Sequence, residues 1–229
     1  MDMEIDRLLD SLDQTSLDNT IVIYMGDNGT PQRVIDFYTN GHSKGSLYQG
    51  GVSVPLIVSG NGVTRQNVRE DALVTATDLY ATIAELAGVE SQSIHDSKSF
   101  ASLLSDENAS SEDYALTAFE SSSTTGWTVR ASDYKLIEFE NGDQELYQVD
   151  NNFSETTNLL PTTDPTLLAK LNDLETAAAS LTDTSTTAQF EPGTIYQDPA
   201  TGAEYPCNSD HPRPFAPRRA PDLRSGVTD

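Results

Sequence analysis

The chain has one cysteine, Cys207, so no internal disulfide framework can hold it together. Only four of its thirteen basic residues are lysines, set against 36 acidic residues, and the net charge is −23. Such a chain repels nucleic acid and anionic membranes, so neither is an expected partner. No apolar run is long enough to span a bilayer. The opening Met1-Asp2-Met3-Glu4 is acidic where a secretory leader would be basic. The compartment stays open on these grounds. Hydrophobic content, at 36%, is low for a globular chain. Even so, 229 residues suffice for one domain, or one domain with an appendage.

Against this polar background one stretch carries chemistry. Thr20-Ile21-Val22-Ile23-Tyr24 is a short β-branched and aromatic run, read as a buried strand, and it ends in Met25-Gly26-Asp27-Asn28-Gly29. In open α/β sheets ligands bind at the carboxyl ends of strands. A carboxylate and an amide side by side there offer hard oxygen ligands for Ca²⁺ or Mg²⁺. By themselves they are also ordinary turn formers. Lys44, inside the glycine-rich Lys44-Gly45-Ser46-Leu47-Tyr48-Gln49-Gly50-Gly51, is the only lysine in the first 97 residues. It would hold the anionic part of a substrate by charge.

Asp27-Asn28-Gly29, the Lys44–Gly51 segment and Val54-Pro55-Leu56-Ile57-Val58 together resemble the C-terminal half of a sulfatase, of the alkaline-phosphatase superfamily. Thr77–Gly88 is similar to that family's helix after the lysine loop. Arg130–Ile137, Glu145–Asp150 and Glu155–Leu159 are similar to its C-terminal subdomain, so the likeness runs from about Met1 to about Leu181. The resemblance implies that Asp27 and Asn28 ligate a divalent cation, Ca²⁺ foremost, and that Lys44 contacts a small anionic ester. It also implies paired aspartates on an earlier strand and a Cys-x-Pro-x-Arg segment whose cysteine becomes formylglycine. The chain contains neither, so no formylglycine is expected at a family motif here, and cation binding should be weak. Gln49 stands where relatives commonly have glutamate, and Ser53 where they commonly have arginine. The reading is an N-terminally truncated sulfatase-like hydrolase, expected to form a homo-oligomer or to pair with a complementing N-terminal half. A non-catalytic remnant is the alternative from another class.

Gly41-His42-Ser43-Lys44-Gly45 also satisfies G-x-S-x-G. That makes Ser43 the nucleophile of an alternative serine esterase, with Asp78 or Asp96 and His95 or His211 as partners. Such an elbow needs a strand before it and a helix after it; 34–38 would be the strand, and 46–54 is a poor helix. His42 can donate to a leaving group or lie in a polar loop. His95, His211 and Cys207 lack supporting motifs.

The expected fold is α/β. It comprises the C-terminal portion of an alkaline-phosphatase-like sheet with flanking helices, plus a small antiparallel sheet covered by a C-terminal helix. The expected divisions are 1–113 for the α/β core, 114–183 for the small sheet and helix, and 184–229 for an extended Pro/Thr-rich tail. Asn141-Gly142 predicts a two-residue hairpin turn. Asp164-Pro165 predicts a helix start, with Leu167, Leu171, Leu174, Ala178 and Leu181 on one face.

Overall fold

The computed structural model describes residues 2–34, 41–89, 96–121, 124–149, 155–182, 195–197 and 204–206. The expected histidines His95 and His211, Cys207, and most of the 34–38 strand fall outside these. Contacts divide the chain into one unit over Met1–Ala178 and another over Ala179–Asp229. In the second, β7 (Ile195–Gln197) and β8 (Glu204–Pro206) form an antiparallel pair. No helix among the described residues is long and apolar enough to cross a membrane.

The first unit opens with α1 (Asp2–Asp10) and α2 (Gln14–Asp18). Asn19 closes α2 as its C-cap. Asp13 caps that helix by accepting a hydrogen bond from the Ser16 N–H at 3.0 Å, which satisfies an otherwise orphaned donor. Next come β1 (Ile21–Met25), α3 (Gln49–Val52), β2 (Leu56–Gly60) and α4 (Asp78–Leu86). β1 pairs antiparallel with β2, with Met25 opposite Leu56. Both strands are half-exposed rather than buried. The physical reason is the partner count: among the described residues this ribbon has no third strand to flank it. Helix α4 is followed by Gly88 at φ 69°, a left-handed stop that glycine adopts without a Cβ penalty. Asp78 is its first residue, and Thr77 holds the cap position.

Strands β3 (Ala115–Glu120), β4 (Thr125–Arg130), β5 (Tyr134–Phe139) and β6 (Gln144–Gln148) form an antiparallel meander in chain order. The β5–β6 connection is not the expected two-residue turn. Phe139 accepts from the Gly142 N–H, Gly142 has φ 86°, and Phe139 N–H reaches Asp143. This is a three-residue loop with glycine in the left-handed position. Helix α5 (Pro165–Thr182) starts where expected, with the Asp164 carboxylate accepting from the Thr166 N–H at 2.8 Å.

Strand alternation gives the meander two working faces. Lys135, Ile137 and Phe139 share one face with Thr128, Glu145 and Tyr147. Tyr134, Leu136 and Leu146 point to the other, toward α5, where Lys170 meets Asp133 at 2.7 Å and lies over the Tyr134 ring. On the first face Leu47, Ile137 and Tyr147 form a buried cluster backed by Tyr48, Phe119 and Phe139. A segment from before residue 113 therefore packs directly on strands that follow it. The α/β class expected from the sequence is the one found.

Candidate functional site

The Asp27-Asn28 turn and the Lys44 loop meet through Thr30. Its N–H donates to the Gly50 carbonyl, and its own carbonyl accepts from the Lys44 N–H, both at 2.8 Å. Gly29 is buried between them, and a Cβ there would run into the Gly50 and Gly51 carbonyl oxygens. The Gly26 N–H donates to Pro55, so the strand end is fixed from the β2 side too (2.9 Å). Glycines are needed here because two backbones pass in contact, which no side chain allows.

Asp27, Asn28 and Lys44 are exposed at this junction. Among the described residues their side chains make no hydrogen bond or ion pair. Their oxygens and ammonium are thus available to a cation and an anion. The donor chemistry fits a hard divalent cation, but it supplies only two side-chain ligands where Ca²⁺ takes about six to eight. No group of three or more His, Cys, Asp or Glu side chains among the described residues is placed to hold a metal.

Ser43 is buried, and its Oγ donates to Gln32 Oε1 at 2.7 Å. Its carbonyl accepts from the Ser46 hydroxyl, and the chain continues through turns until α3 begins at Gln49. An amide oxygen is not a base that could activate a serine, and no helix follows directly. The geometry assigns Ser43 to loop bracing, against the nucleophile-elbow reading. Asp78 is likewise committed: its carboxylate accepts from Thr75 N–H and Oγ1 and from Lys98 N–H. His42 stacks flat on Tyr48, with ring centroids 3.4 Å apart and planes 7° from parallel.

Beneath the loop lies a polar cluster that the sequence reading did not single out. Lys135 is fully buried (0% exposed), and its Nζ meets Glu155 Oε1 at 2.6 Å. The other oxygen of Glu155 accepts from the Gln49 N–H, also at 2.6 Å. One carboxylate therefore ties the sheet to the first residue of α3. Burial pushes the Lys135 ammonium down to about 8, opposed by the Glu155 charge. Burial pushes the Glu155 carboxyl up, opposed by Lys135. Glu155 also sits at φ 42°, a conformation that costs a non-glycine residue about 1–3 kcal/mol. Nearby, Tyr48 and Tyr147 both donate to Glu145 Oε2 at 2.8 Å. Burial, reinforced by that carboxylate, raises both phenols, so they remain protonated donors. Gln49 is 2% exposed, and among the described residues its Nε2 has no hydrogen-bond partner. A sequence signal for Lys135 existed: strict alternation places it on the same face as Ile137 and Phe139.

Burial lowers the His42 pKa from 6.5; the Glu145 charge opposes this and Lys135 adds to it. The unfolded chain therefore takes up this proton first as pH falls below 6.5, and stability is lost with acid across that window. Replacing His42 by Phe keeps the stack on Tyr48 and removes the proton. Urea unfolding from pH 7 to 5 should show a shallower decline for His42→Phe than for the wild type; identical slopes would contradict the burial argument.

Comparison with known proteins adds a second line. A protein-family model described as Sulfatase matches residues 1–89. A sulfatase of Formosa agariphila is 33% identical over 186 residues, covering 70% of this chain and 34% of the relative. An N-acetylglucosamine-6-O-sulfatase of Bacteroides thetaiotaomicron is 27% identical over 69% of this chain and 30% of its own length. The solved structure of a 2-O GAG sulfatase superposes with a TM-score of 0.63 at 27% identity, over 78% of this chain and 40% of that one. The chain spans about a third of the length of the curated relatives it matches.

Proposed function

We propose that this sulfatase-like chain, part of an alkaline-phosphatase-superfamily fold, supplies the cation- and anion-holding side of a site that hydrolyses sulfate esters. The observation that carries this reading is the Thr30 junction, which sets Asp27-Asn28 beside the Lys44 loop through two 2.8 Å backbone bonds. The names of the relatives support the reaction class, and phosphate esters are the nearest chemical variant.

In this reading Asp27 and Asn28 are two oxygen ligands for a divalent cation, with Ca²⁺ the best match to a carboxylate–amide pair. When bound, the cation would neutralise ester oxygens and lower the pKa of a nucleophile. Lys44 is a fixed point charge for the anionic ester, strongest on the oxygens that gain charge in the transition state. The stacked and buried groups beneath, from His42 to Glu155, keep that loop in one place. The chain contains no Cys-x-Pro-x-Arg, and no residue described here takes the part of that nucleophile.

The test uses p-nitrophenyl sulfate, phosphate and acetate, each with and without EDTA, alongside calorimetric sulfate binding with and without Ca²⁺. Sulfate binding that strengthens with Ca²⁺, or sulfate turnover that EDTA abolishes, is the expected result. Acetate turnover that survives EDTA but disappears in Ser43→Ala would favour the esterase. Absence of both turnover and Ca²⁺-linked sulfate binding would overturn the proposal.

A further inference from the structure

The second cation at this junction is Arg33. It lies in the 3₁₀ turn Gln32–Val34, directly after the Asp27–Thr30 turn. That turn is anchored to the lysine loop independently of Thr30. Gln32 Oε1 accepts from the Ser43 Oγ at 2.7 Å and from the Gly41 N–H at 3.4 Å. Arg33 is thus one residue from a contact with Ser43, and Lys44 is the residue after Ser43.

Charge distribution makes this placement informative. The chain has 36 acidic residues for 13 basic ones. An exposed cation on such a surface finds a carboxylate easily, and six of the described basic side chains are in ion pairs. Arg33 and Lys44 are exposed, and among the described residues neither has a carboxylate partner. The Gln32–Ser43 side-chain bond brings the segments carrying these two like charges together, in a chain of net charge −23. An anion relieves their repulsion. The guanidinium fork also suits planar or tetrahedral oxyanions, through two parallel N–H···O bonds.

We propose that Arg33 and Lys44 form a two-cation subsite beside Asp27-Asn28, in which Lys44 takes the ester and Arg33 takes a second anionic group on the same substrate. Arg33 is then a specificity residue that favours disulfated or otherwise doubly anionic sugars over monosulfated ones. This rests on the sulfate-ester reading above.

The experiment titrates the full chain, at low salt with Ca²⁺ present, with a monosulfated monosaccharide (glucose 6-sulfate) and a disulfated one (glucosamine 2-N,6-O-disulfate). Arg33→Gln should weaken the disulfated ligand about tenfold, the scale of a charge-assisted contact, and the monosulfated ligand less than about twofold. Arg33→Lys should recover part of the loss. Lys44→Gln should weaken both ligands. Both side chains are exposed, so unchanged thermal midpoints are expected and confirm folding. Equal effects of Arg33→Gln on the two ligands, or none on either, would overturn the proposal while leaving the functional reading intact. Wild-type chain that binds neither ligand would remove the functional reading and this subsite with it.

Discussion

Glu155→Ala is expected to cost about 3–5 kcal/mol of folding stability, because it leaves the Lys135 ammonium buried and alone. Lys135 is 0% exposed and Glu155 5% exposed, so water cannot reach the orphaned charge without local opening. The same change removes the acceptor of the Gln49 N–H, an additional buried donor left unmade. The loss should therefore concentrate in the loop carrying Lys44. Hydrogen exchange should accelerate at residues 44–51 well before the β3–β6 meander opens. A double variant, Lys135→Met with Glu155→Leu, should regain most of the stability, since replacing both partners by apolar groups leaves no unpaired charge. Urea unfolding of the two variants checks this. A single variant within about 1 kcal/mol of wild type would mean the pair is not buried as described.

Gly29→Ala is the second large effect, and it acts on the site itself. The added methyl would meet two backbone carbonyls, those of Gly50 and Gly51, rather than the flexible end of a side chain. The Gly50 carbonyl cannot move without breaking its bond from the Thr30 N–H. Overpacking of this kind costs about 1–3 kcal/mol. More tellingly, the two loops should separate, and Ca²⁺-linked sulfate affinity should fall by at least about tenfold as orientation is lost. Gly142→Ala provides the comparison. Its φ of 86° makes alanine strained, but a Cβ there meets nothing within 4 Å. It should lower stability by about 1–2 kcal/mol and leave binding unchanged. Calorimetry on both variants separates the cases; equal binding losses would mean that general destabilisation, not the Gly29 contact, is responsible.

Much of the scaffold was legible because it is local. β1 is a β-branched and aromatic run ending in Met25, and α5 announces itself by Asp164-Pro165 and its spaced leucines. The Asp27-Asn28 and Lys44 segments were legible as neighbours through a resemblance, and the Thr30 bonds give that neighbourhood a physical basis. The small misreadings were local as well. Asp13 capping Ser16 was not counted as a helix start, and Asn141-Gly142 pointed to a tighter turn than Gly142 makes. What the sequence hid was the support beneath the site. Glu155 reaches Gln49 across 106 positions and Lys135 across 20. No local pattern marks a carboxylate as buried when its partners are that distant. Only the alternation around Lys135 hinted that a charge faced inward. Ser43 shows the opposite error, where a five-residue pattern suggested a nucleophile and tertiary contacts made it a brace.

The central claim is that Asp27-Asn28 and Lys44 form one site. Residue-resolved NMR during a Ca²⁺ titration, repeated at saturating sulfate, tests it most directly. The expected result is that Ca²⁺ moves the amides of residues 27–30 and 44–50 together, and that sulfate tightens Ca²⁺ while Ca²⁺ tightens sulfate by the same factor, as linkage demands. Shifts spread over the acidic surface, or confined to one loop with no coupling between the ions, would contradict it.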